Sequence, residues 1–514
     1  MSDEESTRIT EPRSWRPDSL AASVAVLLIV TIVQRTVGFG RGVLFCRWLS
    51  PAELGEWEMA YSFLLLAAPV VVLGLPGSFG RYLERYRQRG QLRAFLYRAS
   101  VWTGVLTAAA AALLIAAAGQ FSELIFGHDD KRGLMPLLAI SLVAVILHHF
   151  LEALFAALRK FRIVSTMHFC QSFVFAAASL SLLFWWRSAA ESIIIGYGLA
   201  CLVSAIGALV WTGRDLALVA APGDAPPHTS FWPPLVRFAI WVWVTNLLCH
   251  LFAVIDRSML VHYSGLDNEA ALAQVGHYHA SRIIPLLFLS VADLLAGVVL
   301  PYLSHDWESG NKARVAERLN LVLKFSSFTM LAGGVAVMII APLLFKVAFD
   351  GRYDAGLAVM PATLTYCTLY GLLLIGQTYL WCAERMKSGA IPLAVGLVVN
   401  ILLNLVLIPT WGLQGAVAAT TIATGLALAV LYGINHHAGM KFEPGVVWLS
   451  LAPVAMCGGV WPSAIALAAI TLALPWSKTL FTQAERDMFG NFLADLETRL
   501  PDRWQGRLRH IEAT

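Results

Sequence analysis

Runs of twenty or more mostly apolar residues recur in this chain from residue 20 to residue 476. Each is long enough to cross a hydrocarbon core of about 30 Å as a helix rising 1.5 Å per residue. No other feature narrows the fold so far, because in lipid every backbone polar group must be satisfied internally. The chain has 514 residues, of which 58% are hydrophobic and 14% charged, and its mean hydropathy is +0.67. Soluble domains carry about 25% charged residues. The expected class is an all-α polytopic membrane protein.

The apolar runs predict spans at 20–46, 56–79, 95–118, 134–158, 164–186 and 192–211, then at 236–262, 274–303, 320–348, 357–382, 389–409 and 414–436. The stretch 446–476 is long for one crossing and short for two. Pro462 near its middle favours a tight hairpin of two short helices, hence fourteen crossings, with thirteen as the rival count. The N-terminus opens on acidic "DEES" and lacks the small-residue cleavage site of a secretory signal. With the N-terminus cytoplasmic, short inner loops receive nineteen Lys and Arg and outer loops six, so the positive-inside rule places it inside. The net charge of +4 follows from that topology and implies no nucleic-acid partner. The seven cysteines fall within or at the ends of the spans without metal-ligand spacing, so they read as packing residues.

Two halves of the chain resemble each other at a nearly constant offset. "FGHDDKRGL" at 126–134 matches "FDGRYDAGL" at 349–357, and "GEWEMA" at 55–60 meets "GHYHAS" at 276–281. A repeat of six crossings gives two parallel six-helix bundles related by an axis along the membrane normal, with a binding cavity between them. The expected organisation is a cytoplasmic tail at 1–19, an N-lobe at 20–211, a cytoplasmic loop at 212–235 and a C-lobe at 236–436. The extra segment 446–476 follows, and then 477–514. There "TQAE" forms a capping box ahead of helically spaced apolar residues and arginines, which reads as an amphipathic cytoplasmic tail.

Charges inside the spans are the candidate functional residues, since lipid cannot solvate them and they usually face a bundle interior or a wet cavity. Arg35 lies mid-membrane and Arg41 in the outer half of the first span. Glu58, Asp256, Arg257, His279 and Arg282 come to the same outer layer from both halves. For each arginine a structural salt bridge, such as Asp256 with Arg257, competes with a functional role. An excess of deep arginine over acid suits an anionic guest, and guanidinium forks suit phosphate. Towards the cytoplasmic side His148 and Glu152 share a helix face four residues apart, His149 is beside them, and His168 reaches a similar depth. Such clusters can carry protons in transporters, and a hydrogen-bonded packing cluster is the alternative. Nothing supplies a metal-ligand set, and "GFGRG" at 38–42 has neither the spacing nor the strand context of a nucleotide loop. Pro69, Gly74, Pro76, Pro285 and Pro361 are candidate kinks.

The stretches "RGVLFCRWLSPAELGEWEMAYSF" (41–63), "IDRSMLVHYSG" (255–265), "VGHYHASRIIPLL" (275–287) and "IPTWGLQGAVAATTIATGL" (408–426) resemble the polysaccharide-exporter branch of the MOP flippase superfamily. The superfamily also holds multidrug extruders and lipid-linked oligosaccharide flippases. The resemblance covers roughly residues 20–440. It implies a V-shaped transporter of two six-helix lobes at the cell inner membrane, with extra C-terminal helices. It also implies alternating access for a polyprenyl-diphosphate-linked oligosaccharide, and no cofactor. Arg35 and Arg41 are similar in placement to paired cavity arginines of related peptidoglycan-precursor flippases.

The expected activity is therefore flipping of a lipid-linked sugar chain from the inner to the outer leaflet, without covalent chemistry. Arg35, Arg41, Arg257 and Arg282 are the candidate diphosphate ligands. Glu58, His148, Glu152, His168, Asp256 and His279 are candidates for cation or proton coupling. Expected partners are the lipid-linked oligosaccharide, the bilayer and other polysaccharide-assembly proteins. A cation-coupled multidrug extruder of the same fold is the nearest alternative, and a membrane polysaccharide polymerase or glycosyltransferase the more distant one.

Overall fold

The computed structural model describes residues 20–219, 228–473, 477 and 480, and the described residues form helices and no strands. In chain order the helices are α1 (Leu20–Trp48), α2 (Pro51–Val71), α3 (Phe79–Gln88), α4 (Leu92–Ala116), α5 (Ala118–Phe126), α6 (Met135–Ala157), α7 (Phe161–Trp185) and α8 (Ala190–Val219). There follow α9 (His228–Tyr263), α10 (Asn268–Arg282), α11 (Pro285–Glu308), α12 (Lys312–Val347), α13 (Asp354–Cys382), α14 (Met386–His437), α15 (Pro444–Leu451) and α16 (Val460–Ala473). Among the described residues nine helices are long and apolar enough to cross a membrane. The tail at 1–19 lies outside the described residues, as does 477–514 apart from Ser477 and Leu480. The described ends of the expected loop 212–235 are helical, in α8 and α9.

Several boundaries move for local reasons. Ser50 caps α2, its hydroxyl accepting from the Glu53 N–H at 3.3 Å, and Pro51 opens the helix, so α2 starts five residues before its apolar run. It ends at Val71 because Gly74 takes φ +67° ahead of Pro76. The span expected at 274–303 is two helices, since Pro285 has no N–H to bond back into α10. The two spans expected at 389–409 and 414–436 run together as α14, broken at Gly412, whose φ of +54° and ψ of −127° suit only glycine. In 446–476 the break falls at Gly459 (φ +89°), and Pro462 sits in the first turn of α16.

The chain packs as two compact units. The first holds the described residues up to Ile284 together with Pro342–Val359 and Leu393–Ala423. Here α8 approaches α7 and α6 through small residues. A Cβ on Gly196 would press on Ser179, and one on Gly198 on Ser141, at 2.7–2.9 Å. The short helix α3 went unseen in the apolar pattern because only one face is apolar. Phe79, Tyr82, Leu83 and Tyr86 are buried against Phe95 of α4 and Phe150 and Leu154 of α6, while Arg85, Gln88 and Arg89 are exposed.

The second unit holds Pro285–Ala341, Met360–Pro392 and the described residues from Thr424. The extra C-terminal segment is tied into it by polar contacts. Buried Lys324 of α12 pairs with Glu443, and the Asn320 amide donates to the Lys441 carbonyl at 2.9 Å. A Cβ on Gly334 would overlap the Met456 sulfur.

Candidate functional site

The site in the first unit starts from two glycines. A Cβ built on Gly55 of α2 would overlap the Leu272 carbonyl, and one on Gly276 of α10 would overlap the Pro51 carbonyl. Gly55 and Gly276 hold the same place in the two repeats, and so do Pro51 and Leu272. The equivalent helices of the two repeats thus touch each other through equivalent residues, the reciprocal contact that a two-fold relation requires. Only glycine lets two backbones approach this closely.

One turn beyond each glycine lie Glu58 and His279, again equivalent in the repeat. The His279 Nδ1 is 2.6 Å from Glu58 Oε2. Glu58 Oε1 accepts from Arg257 Nη1 of α9 at 2.9 Å and lies 3.6 Å from Arg282 Nη1. Arg257 Nη1 also donates to the Ser62 hydroxyl at 2.7 Å. Glu58 and Arg257 are buried. A single carboxylate therefore gathers two guanidiniums and an imidazole where water is scarce, an arrangement held only while all its members are present.

Asp256 belongs to a second network. Its Oδ1 accepts from the Arg257 backbone N–H at 2.8 Å and its Oδ2 from the Tyr278 hydroxyl at 2.6 Å. The expected Asp256–Arg257 pair does not form, because adjacent residues on a helix point apart. Thr420 Oγ1 lies 3.5 Å from Asp256 Oδ2 and accepts from Asn400 Nδ2 at 3.0 Å. Asn400 Oδ1 in turn accepts from Asn404 Nδ2 at 3.0 Å. All are buried, and Asn404 Oδ1 has no donor. Ser62, Tyr278, Thr420, Asn400 and Asn404 were not singled out from sequence. The signal was present in Asn400 and Asn404, two amides four residues apart in an apolar run.

The α1 arginines stand apart from these networks. Arg41 is half-buried with its guanidinium carbon 3.9 Å from the Phe175 ring centroid and 5.9 Å from that of Phe45, within cation–π range. Phe175 belongs to an aromatic cluster with Trp57 and Tyr197, at centroid separations of 5.6 and 5.1 Å. Arg35 is exposed. Among the described residues no carboxylate lies within ion-pair distance of either.

The histidine cluster assembles on α6 and α7. Glu152 holds His149 Nδ1 at 3.0 Å through Oε2 and His168 Nε2 at 3.0 Å through Oε1. His149, rather than His148, is thus the carboxylate's partner on α6. His148 is buried with its ring 6.3 Å from that of His168, and its Nδ1 has no partner.

The family model described as "Polysaccharide biosynthesis protein" matches residues 20–307, and that described as "Lipid II flippase MurJ" matches 270–483. The chain is 19% identical over 460 residues to the lipid II flippase MurJ of Bacillus subtilis (strain 168), covering 81% of this chain and 83% of that protein. It is 21% identical over 304 residues to the probable lipid II flippase MurJ of Rhizobium meliloti (strain 1021), covering 57% and 55%. Among solved structures, lipid II flippase MurJ in an inward closed conformation superposes with a TM-score of 0.65 at 16% identity, covering 92% of this chain and 99% of that one. An inward-facing multidrug resistance MATE family transporter of the MOP superfamily gives 0.62 at 11% identity, covering 83% and 98%. The fold is therefore that of MOP-superfamily transporters, and the relatives are flippases and transporters rather than enzymes. With more than half its length matched, this multi-pass membrane chain belongs to the polysaccharide biosynthesis protein family.

Proposed function

We propose that this protein carries a polyprenyl-diphosphate-linked oligosaccharide from the inner to the outer leaflet of the cell inner membrane by alternating access, with its N-terminus cytoplasmic. The observation that carries the reading is the contrast among four arginines. Arg257 and Arg282 are engaged by Glu58, whereas among the described residues Arg35 and Arg41 share α1 without a carboxylate in ion-pair reach. A guanidinium near the bilayer centre costs roughly 2.5–3.5 kcal/mol on insertion scales. Two unneutralised ones on one helix are best explained by an anionic guest, and their planar forks fit phosphate oxygens. Basic deep charges also favour this guest over the cationic substrates of a multidrug extruder.

In this reading the Gly55–Gly276 crossing and the Glu58 knot are the outer closure between an N-lobe and a C-lobe. When the closure parts, Arg257 and Arg282 lose Glu58 and become ligands for the passing diphosphate. Two networks can couple a proton or small cation to that movement: Asp256 with its amide and hydroxyl neighbours, and Glu152 with its histidines. Polysaccharide-assembly proteins in the same membrane would supply the substrate and receive it. The test is turnover of a fluorescent polyprenyl-diphosphate sugar in vesicles. Wild type should move it to the opposite leaflet, and Arg35→Gln with Arg41→Gln should slow it at least tenfold at equal protein level. Undiminished turnover in the double variant removes α1 from the mechanism.

A further inference from the structure

At the end of α9, five residues beyond Arg257, the His262 ring meets two backbone carbonyls. Its Nδ1 is 2.8 Å from the Ser258 oxygen of its own helix, and its Nε2 is 3.1 Å from the Glu123 oxygen of α5. Carbonyl oxygens only accept, and a neutral imidazole has one N–H to give. The geometry is fully satisfied only by the imidazolium, which donates from both nitrogens. Both carbonyls also lie near the C-terminal ends of their helices, where the helix dipole favours a cation. We infer that His262 is a proton-operated latch that ties α5 of the first repeat to α9 of the second.

The surrounding contacts make the latch effective. A Cβ on Gly127, in the turn after α5, would press on Val261 Cγ1 at 2.7 Å and meet Asn268 Oδ1 at 3.4 Å. The turn is therefore already seated on the end of α9 and the start of α10. The charged side chains in the stretches 118–134 and 258–270 that flank the joint are Glu123, His128, Asp129, Asp130, Lys131 and Arg132 on one side and Asp267 and Glu269 on the other, with Asp256 and Arg257 of α9 engaged in the networks described above. Asp129 is held by Arg132, Asp130 faces His128 at 3.1 Å, and Lys131 pairs with Glu56. That leaves Glu123, Asp267 and Glu269, all exposed, as the remaining carboxylates of these stretches. In the neutral form one ring nitrogen turns a lone pair on its carbonyl oxygen, and where that nitrogen is Nε2 the link between helices is lost while the Glu123 oxygen keeps its bond from the Gly127 N–H. Acid on the side carrying His262 therefore holds α5 and α9 together, and alkali loosens them, whatever the chain transports.

Hydrogen–deuterium exchange of the full chain in nanodiscs tests this over 118–130, after correction for the intrinsic pH dependence of exchange. Wild type should be about tenfold better protected at about pH 5.5 than at about pH 8, the range in which a histidine changes charge. His262→Gln should lose most of that difference, and His262→Arg should keep protection at both pH values. Nitrogen-15 spectra of histidine-labelled wild type provide a readout that needs no variant, with the His262 resonance showing both ring nitrogens protonated at the lower pH. A pH response as large in His262→Gln as in wild type, or a singly protonated His262 ring at the lower pH, overturns the inference.

Discussion

Replacing Glu58 with Gln removes the one charge that the buried knot is built on. Arg257, whose side chain is 4% exposed, loses its ionic partner at 2.9 Å and keeps the Ser62 hydroxyl at 2.7 Å. Arg282, 11% exposed, loses the same carboxylate. Breaking a buried ion pair from one side costs about 3–5 kcal/mol, because the remaining charge stays uncompensated. That is a large share of the 5–15 kcal/mol that ordinarily holds a domain together. The α2–α10 contact can relieve the cost by parting, which lets water reach the guanidiniums. The assay is thiol labelling of Ser281→Cys, a buried position on α10, in a background whose seven native cysteines are replaced. Glu58→Gln should raise the labelling rate at least tenfold, since each 1.4 kcal/mol shifts an equilibrium by about that factor. Adding Arg257→Met removes the more deeply buried of the two guanidiniums left without Glu58 and should slow labelling again, as apolar replacement of a buried ion pair is often neutral. Equal rates in Glu58→Gln and its parent would show that the knot does not hold the two helices together.

Gly276→Val forces a side chain onto the Pro51 carbonyl and should destabilise the crossing by about 1–3 kcal/mol, seen as the same faster Ser281→Cys labelling with Glu58 intact. In the second unit, Glu443→Gln removes the charge that faces the buried Lys324 ammonium and should lower the unfolding temperature, by about 3 kcal/mol of stability. Lys324→Met, which leaves Glu443 partly in water, should lower it less in the same thermal scan. Glu152→Gln removes the negative charge shared by His149 and His168 and turns one of its two acceptor oxygens into an NH2 donor, and should flatten the pH profile of lipid turnover between about pH 5.5 and 8. An unchanged profile would assign the histidine cluster to packing.

Much of this architecture is legible from solvent alone. Lipid demands long apolar helices, so the apolar runs at 20–46, 95–118, 134–158, 164–186 and 357–382 match α1, α4, α6, α7 and α13 to within about three residues, while 56–79 and 274–303 miss the breaks at Gly74 and Pro285. Segments governed by other rules escaped. The helix α3 pairs one aromatic face with arginines, and α5 is too short to register. The charged layer was legible by depth, since helix direction and rise place Glu58, Arg257, His279 and Arg282 at one level. Their partners were not legible. Depth fixes one coordinate, while pairing depends on rotation about each helix axis, and so Arg257 reaches across to α2 instead of meeting Asp256. The repeat offset marked Gly55 and Gly276 as equivalent. Nothing in one sequence says that equivalent residues will touch, because that depends on where the two-fold axis passes. Thr420, Asn400 and Asn404 looked like ordinary polar residues in apolar helices until their hydrogen bonds joined them to Asp256.

The most direct test of the transport account is leaflet-resolved capture of substrate by purified protein in sealed vesicles. A polyprenyl-diphosphate oligosaccharide with a labelled sugar is placed on the leaflet corresponding to the cytoplasm, and an impermeant sugar-oxidising reagent is added on the other side. The account predicts that label becomes reactive only in vesicles containing the protein, without new glycosidic bonds, and that the rate collapses when Arg35 and Arg41 are both replaced. Label that stays protected as in protein-free vesicles, while the protein is folded and inserted, would contradict it.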